Sequence, residues 1–238
     1  MFVKTHGIVL RTVKYGDDSL IIDLLTREEG RVSAVVRTGS SQKSRMRRRL
    51  FQPLAVLDVD LSRTPRSTMS RIADARLAMT YATLPFDDVK LSLAFFVAEF
   101  LQYATRDQRA DAPLYDFVEQ SLAWLDNASR GIANFHLMFM MRLSLFLGFL
   151  PDLGSYAPGA FFDLREGVFT PHAPIHPDVL PPGEAAKVQT LMRMSPSNLH
   201  LFLLSHHERN RIVDIVLRYY RLHIPQFGDM KTLEVLRG

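Results

Sequence analysis

Seven consecutive residues, Lys43-Ser44-Arg45-Met46-Arg47-Arg48-Arg49, carry five cations and no anion. Cations this crowded repel one another, and a polyanion relieves that repulsion; nucleic acid is the commonest one. An isolated charge run is more often a solvated loop, but this one is not isolated. Arg11, Lys14, Arg31, Arg37, Arg63, Arg66 and Arg71 fall in the same first 80 residues. Arginine outnumbers lysine there 12 to 3, which favours forked contacts to phosphate oxygens. These seven, with Lys43, Arg45, Arg47, Arg48 and Arg49, form the candidate nucleic-acid-binding set. The expected binding is led by the phosphate backbone, sensitive to salt and poor in sequence preference. Aromatic rings for stacking bases are few in this stretch: Phe2, Tyr15 and Phe51.

Other chemistries find little footing. There is no GxSxG, no phosphate-binding GxxxxGK[ST] loop and no GxGxxG, so nothing makes a case for an enzyme. The adjacent carboxylates Asp17-Asp18 and Asp87-Asp88 diverge in space, and turns and helix starts are their simplest use. His172 and His176 flank Pro174, and His206-His207-Glu208 stands near a helix start. No HExxH accompanies them, and the chain has no cysteine. Surface or capping histidines are expected, with no metal and no cofactor. His136 and Arg142 sit on an otherwise apolar segment. Such an arginine usually snorkels or pairs with an acid such as Glu99 or Glu119; its sharper use is to anchor the carboxylate of a partner peptide.

These side chains need a frame. The first 80 residues alternate short apolar segments with turn signals. Residues 7–10 lead to Tyr15-Gly16-Asp17-Asp18, and residues 20–25 lead to Arg27-Glu28-Glu29-Gly30, whose glycine can take the positive φ of a tight hairpin. From 31 to 37, Val32, Ala34 and Val36 face one way and Arg31, Ser33 and Arg37 the other. After the basic run, residues 54–61 alternate again, and residues 71–75 supply a fifth strand. Five short strands suit a small closed barrel such as the OB-fold, with an SH3-like barrel as the competitor.

After Pro85 the period changes to three and four. Leu91, Phe95, Ala98 and Leu101 mark one amphipathic helix, and Leu114, Phe117, Val118, Leu122 and Leu125 a second. Residues 135–149 are apolar nearly all round and predict a central helix, ended by Gly148 and Pro151. Residues 151–183 hold seven prolines. Within them, residues 160–164 and 167–170 flank Arg165-Glu166 as a small β-hairpin. Ser195-Pro196 reads as an N-cap and first-position pair. Ile212, Ile215, Val216, Tyr219 and Tyr220 mark the last long helix, which stops near Ile224-Pro225.

The charge is unevenly placed. Residues 1–80 hold 15 Lys/Arg against 8 Asp/Glu, and residues 81–238 hold 14 against 17. Basicity therefore belongs to the first third of the chain, and the reading is two domains, 1–80 and 81–238. The most apolar run, residues 135–150, is interrupted by His136 and Arg142 and is too short for a good membrane span. With no signal pattern at the N-terminus and no cysteine, a reducing cytoplasm is compatible.

Several of these segments together resemble the RecO family of bacterial recombinational repair proteins. They are Gly7-Ile8-Val9-Leu10, Tyr15-Gly16-Asp17, Leu25-Thr26-Arg27-Glu28-Glu29-Gly30-Arg31, the basic run followed by Leu50-Phe51-Gln52-Pro53-Leu54, Leu147-Gly148-Phe149-Leu150-Pro151, and Lys231-Thr232-Leu233-Glu234-Val235-Leu236. The resemblance implies an α+β chain: an N-terminal five-stranded OB-fold barrel, then an α-helical domain with a small β-hairpin insertion. It implies a non-enzymatic recombination mediator, cytoplasmic and associated with the nucleoid. Such a protein binds single- and double-stranded DNA, anneals complementary strands, and helps RecR load the RecA recombinase onto DNA coated with single-stranded DNA-binding protein. It also implies that the helical domain holds the acidic, apolar C-terminal tail of that coating protein, for which Arg130 and Arg142 are the candidate residues. Many members carry a four-cysteine zinc element after the Gly-Phe-Leu-Pro stretch. Here residues 152–180 occupy that place without a cysteine, so the zinc site does not carry over. The alternative is a general RNA-binding or ribosome-associated OB module with a helical scaffold. An enzyme with an unrecognised site and a membrane-surface protein are further classes.

Overall fold

A computed structural model of the chain describes residues 2–39, 48–63 and 69–237. Lys43, Arg45, Arg47 and Arg66 lie outside the described residues.

Strands β1 (Phe2–Tyr15), β2 (Ser19–Thr26), β3 (Gly30–Arg37), β4 (Val56–Ser62) and β5 (Ser70–Leu77) close into a barrel in the order β1-β2-β3-β5-β4. β1 also pairs with β4 and completes the circle. All pairings are antiparallel except β3 with β5. A sequential meander would set β4 beside β3. Here the connection carrying the basic run separates them, and β5 returns in its place. That crossover is the OB arrangement, and it decides between the two barrels that the strand pattern left open. The alternation on β3 holds: Val32, Ala34 and Val36 are buried, while Ser33 and Arg37 are exposed. With Val9, Ile22, Leu24, Leu57, Val59 and Ile72 they fill the barrel core.

Two helices, α1 (Asp88–Ala104) and α2 (Ala112–Asn127), belong to the same compact unit as the barrel, which comprises Met1–Asn127 and Met230–Leu236. The Asp87 carboxylate accepts the first N–H groups of α1, from Val89 and Lys90, and caps it. α1 packs along β1. Its buried face keeps Ala98 and Leu101 of the expected stripe and adds Leu93, Phe96, Val97, Phe100 and Ala104, while Phe95 stays 44% exposed. The β2–β3 turn is fixed against the region after α1. Gly30 takes φ +70°, and the Arg31 N–H donates to the Gln108 carbonyl at 2.8 Å. Arg27 donates two hydrogen bonds to the Asp116 carboxylate on α2, at 2.8 and 3.1 Å.

The second unit comprises Ala128–Asp229 and Arg237. α3 (Phe135–Phe146) is buried on nearly all sides. It ends in a Schellman turn, with Gly148 at φ +84° and the N–H groups of Gly148 and Phe149 returning to the Leu145 and Ser144 carbonyls. Strands β6 (Phe161–Asp163), β7 (Val168–Thr170) and β8 (Val179–Leu180) form a small sheet in the order β7-β6-β8, so the expected hairpin gains a third strand. α4 (Pro182–Met192) and α5 (His206–His223) follow. Ser195-Pro196 does not open a helix. The Ser195 N–H donates to the Asn198 side chain, whose amide donates to the Arg193 carbonyl; these local bonds hold a turn that runs into the short 3-10 segment Leu199–Leu201. The long helix is capped later, by a reciprocal Ser205–Glu208 box. A short helix, α6 (Leu233–Arg237), closes the described chain. Among the described residues no helix is long and apolar enough to cross a membrane.

Candidate nucleic-acid interface

The basic connection is anchored at both ends. At its start the Thr38 N–H donates to the Asp18 carbonyl at 2.7 Å, which ties the end of β3 to the β1–β2 turn. At its return Phe51, 1% exposed, enters the barrel core, and its carbonyl accepts from the Thr12 hydroxyl at 2.6 Å. Phe51 is therefore core, not a platform for bases. Leu54 follows at φ +63°, a conformation costly for a branched side chain. Its N–H donates to Val9 and its carbonyl accepts from the Tyr81 hydroxyl at 2.7 Å, and these bonds hold it there.

The strand register gathers several of the candidate cations. Tyr15, Ser19 and Arg37 align across β1, β2 and β3, and Lys14 aligns with Leu20 beside them. Tyr15, Lys14 and Arg37 are all exposed. Arg48 donates to the Thr38 hydroxyl and the Gly39 carbonyl, at 3.0 and 3.2 Å, so it bridges back to the same end of the barrel; Arg49 beside it is exposed. Arg71 on β5 aligns with Val35, two residues short of Arg37, on the outer face. It also aligns with Ser62, next to the exposed Arg63. Lys14, Arg37, Arg48 and Arg49 thus share one end of the barrel, and Arg71 lies between that end and Arg63.

Arg31 and Arg11 lie elsewhere. Arg11 aligns with Asp23, and Asp23 with Ser33. The Arg31 side chain is only 10% exposed and lies 3.3 Å from the Asp23 carboxylate. It donates to the Gln102 side-chain oxygen on α1 at 2.9 Å, and the Gln102 amide donates to Asp23 at 3.3 Å. Burial lowers the Arg31 pKa, the Asp23 charge opposes that shift, and the nearby Arg106 and Arg11 charges reinforce it. Arg31 is therefore part of a wall rather than of the solvent-facing set.

Beside that wall is a cavity of about 450 Å³, lined by Leu10, Arg11 and Pro53 from the barrel, by Phe95, Ala98, Glu99, Gln102, Tyr103 and Arg106 from α1 and just beyond it, and by Lys231. A bulge in β1 between Val9 and Arg11 places Leu10 and Arg11 here. Glu99 holds the returning chain in position: its two oxygens accept the N–H groups of Lys231 and Thr232, at 3.0 and 2.8 Å, and the Thr232 hydroxyl. Of these residues only Arg11 was among the candidate cations. The signal for the others is the spacing Phe95, Ala98, Glu99, Gln102, Tyr103, Arg106, one stripe of a helix that alternates aromatic, polar and cationic groups.

In the second unit Arg142 is exposed on α3 and donates to the Met194 carbonyl at 3.1 Å, while Arg130 is exposed ahead of the helix. The insertion at 152–180 is held by side chains. Asp163 accepts the Arg165 and Glu166 N–H groups and lies 3.1 Å from the His176 ring; Asp178 accepts from Arg165 and Arg218. With these carboxylates so engaged, and no cluster of three His, Cys, Asp or Glu among the described residues, the element does not fit a zinc ion.

Comparison with known proteins agrees with this architecture. Residues 1–81 match the family model described as recombination protein O N terminal, and residues 85–233 match that of recombination protein O C terminal. Over 237 residues, all of this chain and 98% of the relative, the sequence is 44% identical to a DNA repair protein RecO of Phocaeicola vulgatus. It is 40% identical to that of Bacteroides fragilis over 238 residues, with the same coverage. It is 36% identical to that of Porphyromonas gingivalis, over 99% of this chain and 98% of the relative. These matches favour DNA repair over the RNA-binding or ribosome-associated reading.

Proposed function

The chain belongs to the RecO family, with a role in DNA repair and recombination, and from that premise we propose that it is a non-enzymatic mediator that binds single- and double-stranded DNA and anneals complementary strands. It works with RecR to load recombinase onto DNA coated with single-stranded DNA-binding protein. The proposed division of labour puts DNA on residues 1–80, at the barrel end that carries Lys14, Arg37, Arg48 and Arg49, with Lys43, Arg45 and Arg47 in the connection. It puts the acidic tail of the coating protein on residues 81–238, at Arg130 and Arg142.

The observation that carries this reading is the register that brings exposed Lys14 and Arg37 to the end where the basic connection leaves the barrel. Cations fixed on a closed barrel meet phosphates with little ordering cost, and each phosphate neutralised releases counterions. The test replaces Arg45, Arg47 and Arg49 with glutamine. Arg48 is kept, because it also braces Thr38 and Gly39. Duplex affinity should fall, and the slope of log affinity against log salt should shrink by about 0.9 for each phosphate that is no longer neutralised. Unchanged affinity and slope would remove the connection from the interface.

A further inference from the structure

We infer that the cavity between β1 and α1 receives one unpaired nucleotide of a single DNA strand, its base against Phe95 and its phosphate among Arg11, Arg106 and Lys231. The inference rests on the reading of the chain as a DNA-binding protein and adds a site specific for single strands.

Three observations converge on it. The first is size: about 450 Å³ lies within the range of roughly 300–1,000 Å³ typical of small-ligand pockets. The second is charge. Three cations and one carboxylate line the space, and that carboxylate, Glu99, is committed to the N–H groups of residues 231 and 232. The third is an aromatic ring left 44% exposed on a helix whose other phenylalanines, Phe96 and Phe100, are fully buried.

Each feature has a plainer use on its own. Arg106 follows the C-terminal end of α1, where a cation complements the helix dipole, and single exposed apolar side chains are common. A nucleotide uses all of them together. Bases stack on aromatic rings regardless of sequence, while cations hold the phosphates. The site also adds a ring to the two that stay exposed on the barrel, Phe2 and Tyr15, since Phe51 is spent in the core. The route is short, because Pro53 in the lining follows Arg49 by four residues through the anchored return of the basic connection. A base in a duplex is stacked and paired and cannot enter without being extruded, so the cavity discriminates single strands from duplex.

The test uses the full chain and compares oligo-dT with a hairpin duplex by fluorescence anisotropy, together with a single strand carrying the fluorescent base 2-aminopurine. Phe95→Ala should weaken oligo-dT binding by about five-fold to a hundred-fold, the range expected when a base–aromatic stack is removed. Duplex affinity should stay within about two-fold, which also shows that the variant is folded. Phe95→Trp should restore single-strand binding, and Arg106→Gln with Lys231→Gln should weaken it. Wild-type protein should change the 2-aminopurine emission, and Phe95→Ala should not. The inference is overturned if Phe95→Ala binds oligo-dT like wild type, or weakens single strand and duplex equally. It is also overturned if an acidic peptide binds Phe95→Ala more weakly while oligo-dT does not, since the cavity would then serve a protein. Wild-type protein that binds neither DNA would overturn the broader DNA-binding reading instead.

Discussion

A β-carbon on Gly30 would lie 2.4 Å from the Arg109 carbonyl carbon. The glycine is thus required twice, for its φ of +70° and for the backbone that crosses it. The first requirement is legible in Glu29-Gly30 between two alternating segments. The second is not, because residues 108–110 come from another part of the chain. Asp126 is a similar case. It is 5% exposed, and its carboxylate accepts the N–H groups of Ala82, Thr83 and Leu84 at 2.7–2.9 Å, while buried Lys90 donates to its carbonyl at 2.6 Å. Burial alone would raise the Asp126 pKa, but the three backbone donors and the Lys90 charge outweigh it and hold the pKa below the usual carboxylate range. A depressed folded-state pKa means stability that is fully present above the unfolded value of about 3.9 and is lost as pH falls through the folded value. Asp126→Ala should destabilise the chain by about 3 kcal/mol near neutrality, since it strands three N–H groups and leaves Lys90 uncompensated. Urea midpoints measured from neutral pH down through the carboxylate range check this: the gap between wild type and variant should narrow below about pH 4. A gap that stays constant would assign the effect to packing.

At the scale of elements, what the sequence shows best is period. Short apolar segments between turn signals mark the barrel strands, with alternation in β3 and β4, the change to three-and-four spacing marks α1 and α2, and a continuous apolar run marks α3. The prolines of 151–183 and Gly167 mark the hairpin. Gly167 has φ +70°, and a β-carbon there would meet the Tyr219 hydroxyl at 2.7 Å. What period cannot show is which polar groups fasten an element. Asp163, 6% exposed, closes the β6–β7 turn and meets His176. Hydrogen bonds from Arg218 and then Arg165 hold the Asp178 carboxyl below its usual range and tie the hairpin to α5. Phe162, Phe169 and Tyr156 pack edge to face or tilted beside Tyr219. Asp163→Ala should cost about 1–3 kcal/mol, because it leaves two N–H donors of the turn without acceptors. Hydrogen exchange should speed up across residues 160–180 and stay unchanged in β1–β5. A chelator should leave the wild-type melting temperature where it is. A fall on chelation would show a metal that these side chains do not explain.

For the whole molecule, the uneven charge seen in the sequence has a physical consequence for how partners compete. The basic surface belongs to the barrel end in the first compact unit. Arg130 and Arg142 belong to the second. A strongly cationic patch attracts any acidic peptide non-specifically, and that attraction decays within a Debye length of about 8 Å at physiological salt. Tail binding, if it is specific as proposed, must therefore survive salt that suppresses the barrel's attraction. In the proposed arrangement, the exposed Arg142 guanidinium, already oriented by its bond to the Met194 carbonyl, would give a terminal carboxylate a directed charge-assisted bond. If the two functions are separate, Arg142→Ala should weaken the acidic tail peptide by about tenfold, the worth of one charge-assisted hydrogen bond. Duplex affinity and its salt slope should not change. The triple glutamine variant at Arg45, Arg47 and Arg49 should do the reverse. Peptide and DNA titrations on both variants, at low and physiological salt, decide the matter. If Arg142→Ala lowers both affinities in parallel, or tail binding vanishes with the basic connection, tail and DNA share one surface and the chain must exchange one for the other.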